Sequence, residues 1–168
     1  MDTTTPRYVA DFPHDAVLRD YLDSESGLRV LVLRGEMSFC AYVGVKADHA
    51  LAELEELWFP CHFGINYRGW GKQGSPREAG WYWWGWDYAH WRDHVDYQAM
   101  LPPDASDEEK KVFEKVNALM NRSEPYYGFG PRKKWTVDEV FEDALDALME
   151  LKTSLEKSKT LTALLAHR

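Results

Sequence analysis

Residues 81–86 read Trp-Tyr-Trp-Trp-Gly-Trp, and no other segment narrows the choice of fold as much. In an extended strand successive side chains point to opposite faces. Trp81 and Trp83 then face one way, and Trp84 and Trp86 the other. A strand that is aromatic on both faces has to be covered on both, so it lies inside a layered structure. Seven of the eight tryptophans fall between Trp58 and Trp91, which concentrates the bulk of the aromatic surface around this one strand.

The flanking sequence supplies the other elements. Leu28–Leu33 and Phe39–Val45 are rich in β-branched and aliphatic residues and are separated by Arg34-Gly35-Glu36, the pattern of a hairpin. Gly64–Tyr67 is a further candidate strand, and Gly69–Gly80, with four glycines and Pro76, reads as a loop. Asp15–Leu22 has apolar spacing that suits a short helix, and Asp48 is placed to cap another with Leu51, Leu54 and Leu57 or Trp58 as its apolar positions, ended by Pro60. Ser106 with Glu109, and Thr136 with Glu139, are capping boxes that open two later helices. The second carries Val137, Val140, Phe141, Ala144, Leu145, Leu148 and Met149 on one face. Ser123–Lys134 reads as the loop between them, and the pattern decays after Leu155. Short adjacent strands without regular βαβ alternation predict an α+β fold. The expectation is a single domain over 1–168, a small antiparallel sheet of about four strands with helices packed on it, and loosely ordered ends at 1–11 and 158–168.

The composition sets outer bounds. The chain has 168 residues and a formal net charge of -8, so long-range attraction to nucleic acid is not expected. No apolar run approaches the roughly 20 residues of a membrane span. The start, MDTTTPRYVADF, lacks the basic and apolar regions of a secretory signal, which points to a cytoplasmic protein. Cys40 and Cys61 form no CxxC pair and read as reduced, largely buried thiols, with either also open to use as one metal ligand.

The chemistry-bearing residues sit beside the tryptophan strand. Asp87, His90 and Asp93 are spaced by three, and His62 comes into play if the strand near Gly64–Tyr67 pairs with Trp81–Asp87. An aspartate that orients a histidine makes a general base. The same atoms, with His62, Asp87 and His90 as candidates, suit a divalent cation such as Zn²⁺ or Mn²⁺. A third reading is structural: Asp87 caps a helix and His90 satisfies a buried hydrogen bond. The tryptophans divide in the same way between core and cleft wall. With Asn66, Tyr67 and Arg68, the rings of Trp70, Trp84 and Trp86 would suit a nucleobase or sugar. The glycine-rich 69–80 segment is neither a Walker A loop nor GxGxxG, and is a weak phosphate signal.

Three ordered blocks then carry a resemblance. Residues 41–49 (AYVGVKADH), 62–67 (HFGINY) and 83–93 (WWGWDYAHWRD), followed by a helix over 135–151, resemble a family of small proteins of tailed bacteriophages and bacterial mobile elements. Its pattern runs GYVGVP-x-x-HP, HGGLT and WW-x-GFDCAH-x-x-D. His49, His62, Asp87, His90 and Asp93 match it. Phe63 stands in place of the first glycine of HGG, Asn66 in place of the threonine, Trp86 of the phenylalanine and Tyr88 of the cysteine, which argues against cysteine chemistry at position 88. The resemblance implies a phage-type accessory protein with a shared polar site, acting in the host cytoplasm, and no established reaction. The expectation is a binder of a nucleotide-like or other small polar ligand in an aromatic cleft, with counter-defence as a role open to it. The alternatives are a metal-dependent or His/Asp acid–base hydrolase, with His62, Asp87, His90 and Asp93 as its catalytic residues, and an inhibitor of a host protein.

Overall fold

The computed structural model describes residues 5–122, 128 and 130–166. Five strands, β1 (Val17–Asp23), β2 (Leu28–Arg34), β3 (Phe39–Lys46), β4 (Tyr67–Trp70) and β5 (Trp81–Asp87), form one antiparallel sheet in the order β1-β2-β3-β5-β4. Two helices follow, α1 (Asp107–Met120) and α2 (Val137–Ala166). The α+β architecture is therefore the expected one, with one strand more than the four anticipated.

Alternation divides the sheet into two apolar faces. Leu28, Val30, Val32, Phe39, Ala41, Val43, Val45, Tyr82, Trp84 and Trp86 face α2, which closes the main core with Val140, Ala144, Leu148 and Leu151. Leu31, Leu33, Tyr42, Trp81 and Trp83 form a smaller cluster on the other face. Among the described residues no helix belongs to that cluster. Arg29 lies over the Trp81 ring, and Arg77 lies over the rings of Tyr42 and Tyr67. Glycines make room for these rings. A Cβ at Gly44 would sit 2.3 Å from Trp83, and one at Gly85 would sit 2.4 Å from Tyr42. The central strand is thus buried on both faces, as its sequence requires.

Two predicted helices are not helices. Residues 17–23 are β1, the edge strand of a hairpin with β2 whose turn is closed by Gly27 at φ +74. A bulge between Val17 and Arg19 accounts for apolar spacing that mimics a helix. After Asp48 the chain makes successive i→i+3 turns (Ala52 N–H to His49 C=O, Leu54 to Leu51, Leu57 to Leu54), with Glu53 at φ 65. Trp84 Nε1–H donates to the Leu54 carbonyl, so side chains of the core hold this segment in place of helical hydrogen bonds. The strand expected at 64–67 begins only at Tyr67. Gly64 turns at φ +90, and Asn66 N–H, donating to the Gly85 carbonyl at 2.9 Å, leads into the ladder.

Both capping boxes form. The Ser106 hydroxyl accepts from Glu109 N–H, and Thr136 and Glu139 engage reciprocally. The loop predicted over 123–134 falls partly outside the described residues, and so does the lead-in at 1–4. Within the rest of the lead-in, Val9–Asp11 forms a short 3-10 turn with Val9 buried. Of the end expected to be loosely ordered at 158–168, the residues up to Ala166 belong to α2, and 167–168 lie outside the described residues. No helix among the described residues is long and apolar enough to cross a membrane.

Candidate functional site

At the end of β5 the chain leaves the sheet and folds back on itself. Asp87 Oδ1 accepts from Ala89 N–H at 3.0 Å, and Asp93 N–H donates to the His90 carbonyl at 2.9 Å, so 87–93 is a compact double turn and not a helix. Asp93 pairs in parallel fashion with Lys133, and His94 N–H donates to the Lys133 carbonyl. This strap brings the segment just before α2 against the turn.

Asp93 is the centre of the arrangement. It is 2% exposed. Its Oδ2 accepts from His62 Nε2 at 2.7 Å and from His90 N–H at 2.9 Å, and its Oδ1 accepts from Trp135 Nε1–H at 2.8 Å. Burial pushes the carboxyl up, but the hydrogen bonds from His62, Trp135 and His90 outweigh it and hold the pKa below the ordinary carboxylate value. An ionised, oriented carboxylate on His62 Nε2 fixes that ring's tautomer and leaves Nδ1 as its basic atom.

The rings around it are stacked. His62 lies flat on Tyr88, with centroids 4.7 Å apart and planes 10° apart, and meets Trp135 edge-on at 5.2 Å. Tyr88 is anchored from below. Trp86 Nε1–H donates to its hydroxyl, which donates to Asp143 of α2. Burial drives the Tyr88 phenol far above its ordinary pKa, so it stays protonated. The His62 loop is set by a Gly64 N–H to Cys61 C=O turn and by Asn66 N–H donating to the Gly85 carbonyl. Phe63 adopts φ 53, in the left-handed region, and its 62%-exposed ring stacks on His90 at 4.6 Å.

His62, Asp87, His90 and Asp93 therefore come together. His62 and His90 have centroids 5.7 Å apart, and Asp87 Oδ1 lies 3.6 Å from His90 Nε2, too far for a hydrogen bond. His90 Nε2 is buried and has no hydrogen-bond partner among the described residues. Asn66 joins the group by donating to Asp87 Oδ2 at 2.6 Å.

The expected ligand contacts divide. Trp84 and Trp86 are 0% and 1% exposed, so they fill the core and line no cleft. Tyr67 packs edge-on against Tyr42 under Arg77, on the sheet's other face, and Trp70 packs on Tyr82 with its Nε1–H on Glu53. Arg68 is exposed on β4, close enough for its charge to act on the Cys61 thiol, as does Asp143. His49 lies at the far end of the sheet. The metal-centre expectation for His62, Asp87 and His90 finds no support. Among the described residues no three His, Cys, Asp or Glu side chains are grouped to hold a metal ion. Asp93 already spends both oxygens on three donors, and Asp87 is held by Ala89 and Asn66.

Two members of the site were outside the predicted set. Trp135 lies 42 residues from Asp93 in sequence. Its only signal is its place as an apolar residue just ahead of the Thr136 capping box. Tyr88 lies between Asp87 and His90, where strand alternation carries it onto the core face below His62. The chain matches no protein-family model, and no curated protein or solved structure is similar to it at a significant level.

Proposed function

We propose that the chain is a phage-type accessory protein that binds a small polar, nucleotide-like ligand at His62 and His90. The observation that carries this reading is the buried, unpartnered His90 Nε2, beside the His62 ring that Asp93 holds in place. A buried polar atom without a partner costs about 1–3 kcal/mol. A ligand donor or acceptor placed against it would offset that cost. The exposed Phe63 ring supplies a stacking wall, and Asn66 and Asp87 offer orienting polar groups. Arg68 is the nearby cation for a phosphate. Trp84 and Trp86 act through the scaffold and not by contact.

A second reading is favoured by a different observation. The Asp93–His62 pair at 2.7 Å is the arrangement of an oriented general base, which would activate water against a phosphodiester or glycosidic bond. One experiment addresses both. Purified protein is titrated calorimetrically with nucleoside monophosphates and cyclic nucleotides, and the mixtures are then separated by chromatography. Saturable binding of unchanged ligand, lost in His90→Ala with the melting temperature preserved, is the expected result. Absence of saturable binding overturns the proposal. Conversion of the nucleotide, abolished by His62→Ala, replaces binding with acid–base catalysis.

A further inference from the structure

A second recess lies at the end of the sheet opposite His62 and Asp87. The β1–β2 turn, the end of β3 and the start of β5 meet there, because Asp23 pairs with Leu28 and Lys46 pairs with Trp81. Leu22, Gly27, Lys46, Asp48, His49 and Trp81 line a cavity of about 410 Å³, within the range of small-molecule sites. Its frame is fixed by hydrogen bonds. Ala47 N–H donates to the Gly80 carbonyl and His49 N–H to the Lys46 carbonyl, both at 3.0 Å. His49 Nδ1 accepts from Leu51 N–H at 3.1 Å, so its Nε2–H donates to the Ser26 carbonyl at 3.0 Å. The imidazole is thereby a bracket between the two turns that form the walls. Gly27, at φ +74, lets that ring approach, since a Cβ there would come 3.3 Å from His49 Cδ2.

The lining has three chemical parts. Lys46 and Asp48 place opposite charges two residues apart on one rim, and neither is in an ion pair among the described residues. The Lys46 ammonium stands 5.9 Å from the Trp81 ring centroid, over the apolar part of the wall. Leu22, a half-exposed aliphatic side chain, faces the same space. A singly charged ligand would compensate only one rim charge, and a polyphosphate would meet repulsion from Asp48. A compact zwitterion with an aliphatic tail satisfies all three.

We propose that this recess binds a free aliphatic α-amino acid. Its carboxylate pairs with Lys46, its ammonium with Asp48, and its side chain lies against Leu22 and Trp81. The site is separate from the His62–His90 cluster and stands or falls without it. Titration of the ¹⁵N-labelled chain with L-leucine is expected to give saturable shifts at the Gly27 and Asp48 amides and the Trp81 indole, with Asp87 and His90 unmoved. 4-Methylpentanoate, which lacks the ammonium, and isopentylamine, which lacks the carboxylate, should each bind at least about tenfold more weakly. Lys46→Gln and Asp48→Asn should weaken leucine to the same extent while keeping the melting temperature, because both side chains are exposed. The proposal is overturned by the absence of saturable shifts at millimolar leucine, by analogues that bind as well as leucine, or by wild-type affinity in either variant.

Discussion

Replacing Asp93 by asparagine keeps the side chain's shape and removes its ability to serve three donors. His62 Nε2–H and His90 N–H converge on one oxygen, at 2.7 and 2.9 Å, and Trp135 Nε1–H points at the other, at 2.8 Å. An amide has one acceptor oxygen and one NH₂. In one orientation the NH₂ faces the Trp135 N–H, and in the other it faces the His90 N–H, so a donor opposes a donor either way. His62 can change tautomer, but an indole and a backbone amide cannot. One unsatisfied buried donor costs about 1–3 kcal/mol, and the surviving bonds lose their charge assistance, so the total loss is about 2–4 kcal/mol. For a chain of this size that lowers the melting temperature by about 5–15 °C. Urea unfolding at pH 7, followed by tryptophan fluorescence, measures it. The pH dependence supplies an internal control. The folded pKa of Asp93 lies below the ordinary 3.8, so its contribution is fully present above about pH 4 and is lost as pH falls through the folded value. The gap between wild type and Asp93→Asn should therefore narrow only in that acid range. A variant within about 0.5 kcal/mol of wild type at pH 7 refutes Asp93 as the hub.

Phe63→Gly relieves a left-handed conformation that costs a residue with a Cβ about 1–2 kcal/mol, and it gives up a ring stack on His90 of about 0.5–1.5 kcal/mol. Thermal melts should place it within about 1 kcal/mol of wild type, while on the proposed function its nucleotide affinity should fall, since Phe63 is the stacking wall of that reading. Gly44→Ala pushes a methyl to 2.3 Å from the Trp83 ring, which is sealed in the smaller cluster. Overpacking of about 1–3 kcal/mol should appear in urea unfolding. Burial pushes the Cys40 and Cys61 thiols up to about 11 from an ordinary 9.0. At pH 8 their thiolate population is then about one-hundredth of an unperturbed thiol's, and rapid iodoacetamide labelling of the folded chain at that pH would contradict it.

The parts of the fold that were readable in advance are those where one local pattern leaves one outcome. The 28–45 hairpin, the two-faced tryptophan strand and both capping boxes belong to this group, since alternation and cap chemistry act over a few residues. Residues 15–22 failed because Ala16, Leu18, Tyr21 and Leu22, at the entry to and within a bulged edge strand, fall at spacings that also suit a helix. The decision there is made by the open edge of β2, which is not local. Residues 48–58 failed for a related reason. Trp84 and the docking of Leu51 and Phe59 into the core override a modest helical spacing. At the site, the set His62, Asp87, His90 and Asp93 was legible through spacing and strand pairing. Trp135 was not, because its contact with Asp93 depends on how the 130s strap crosses the end of the sheet. Trp84 and Trp86 were misassigned because composition reports how many rings a chain carries, and only the packing of the main core, with Leu54, Phe59 and Tyr88 around them, shows which are sealed.

The density of tryptophan bears on the site through rigidity. Trp86 is sealed in the core and donates to the Tyr88 hydroxyl, which in turn donates to Asp143 on α2. Tyr88 is thereby fixed by both layers of the fold, and His62 lies flat on its ring. The position of His62 Nδ1 is then set by the sheet and the helix together and not by its own short loop, which holds two successive residues at positive φ and has little stability of its own. A side chain on such a loop would ordinarily sample several rotamers, and ordering it on binding would subtract from affinity. Here that ordering is already built into the folded chain, with the stack on one side and the Asp93 carboxylate on the other. The aromatic core is thus what allows a short loop to present a histidine in one orientation, which is the preorganisation that the proposed binding, or the alternative general-base reading, would require.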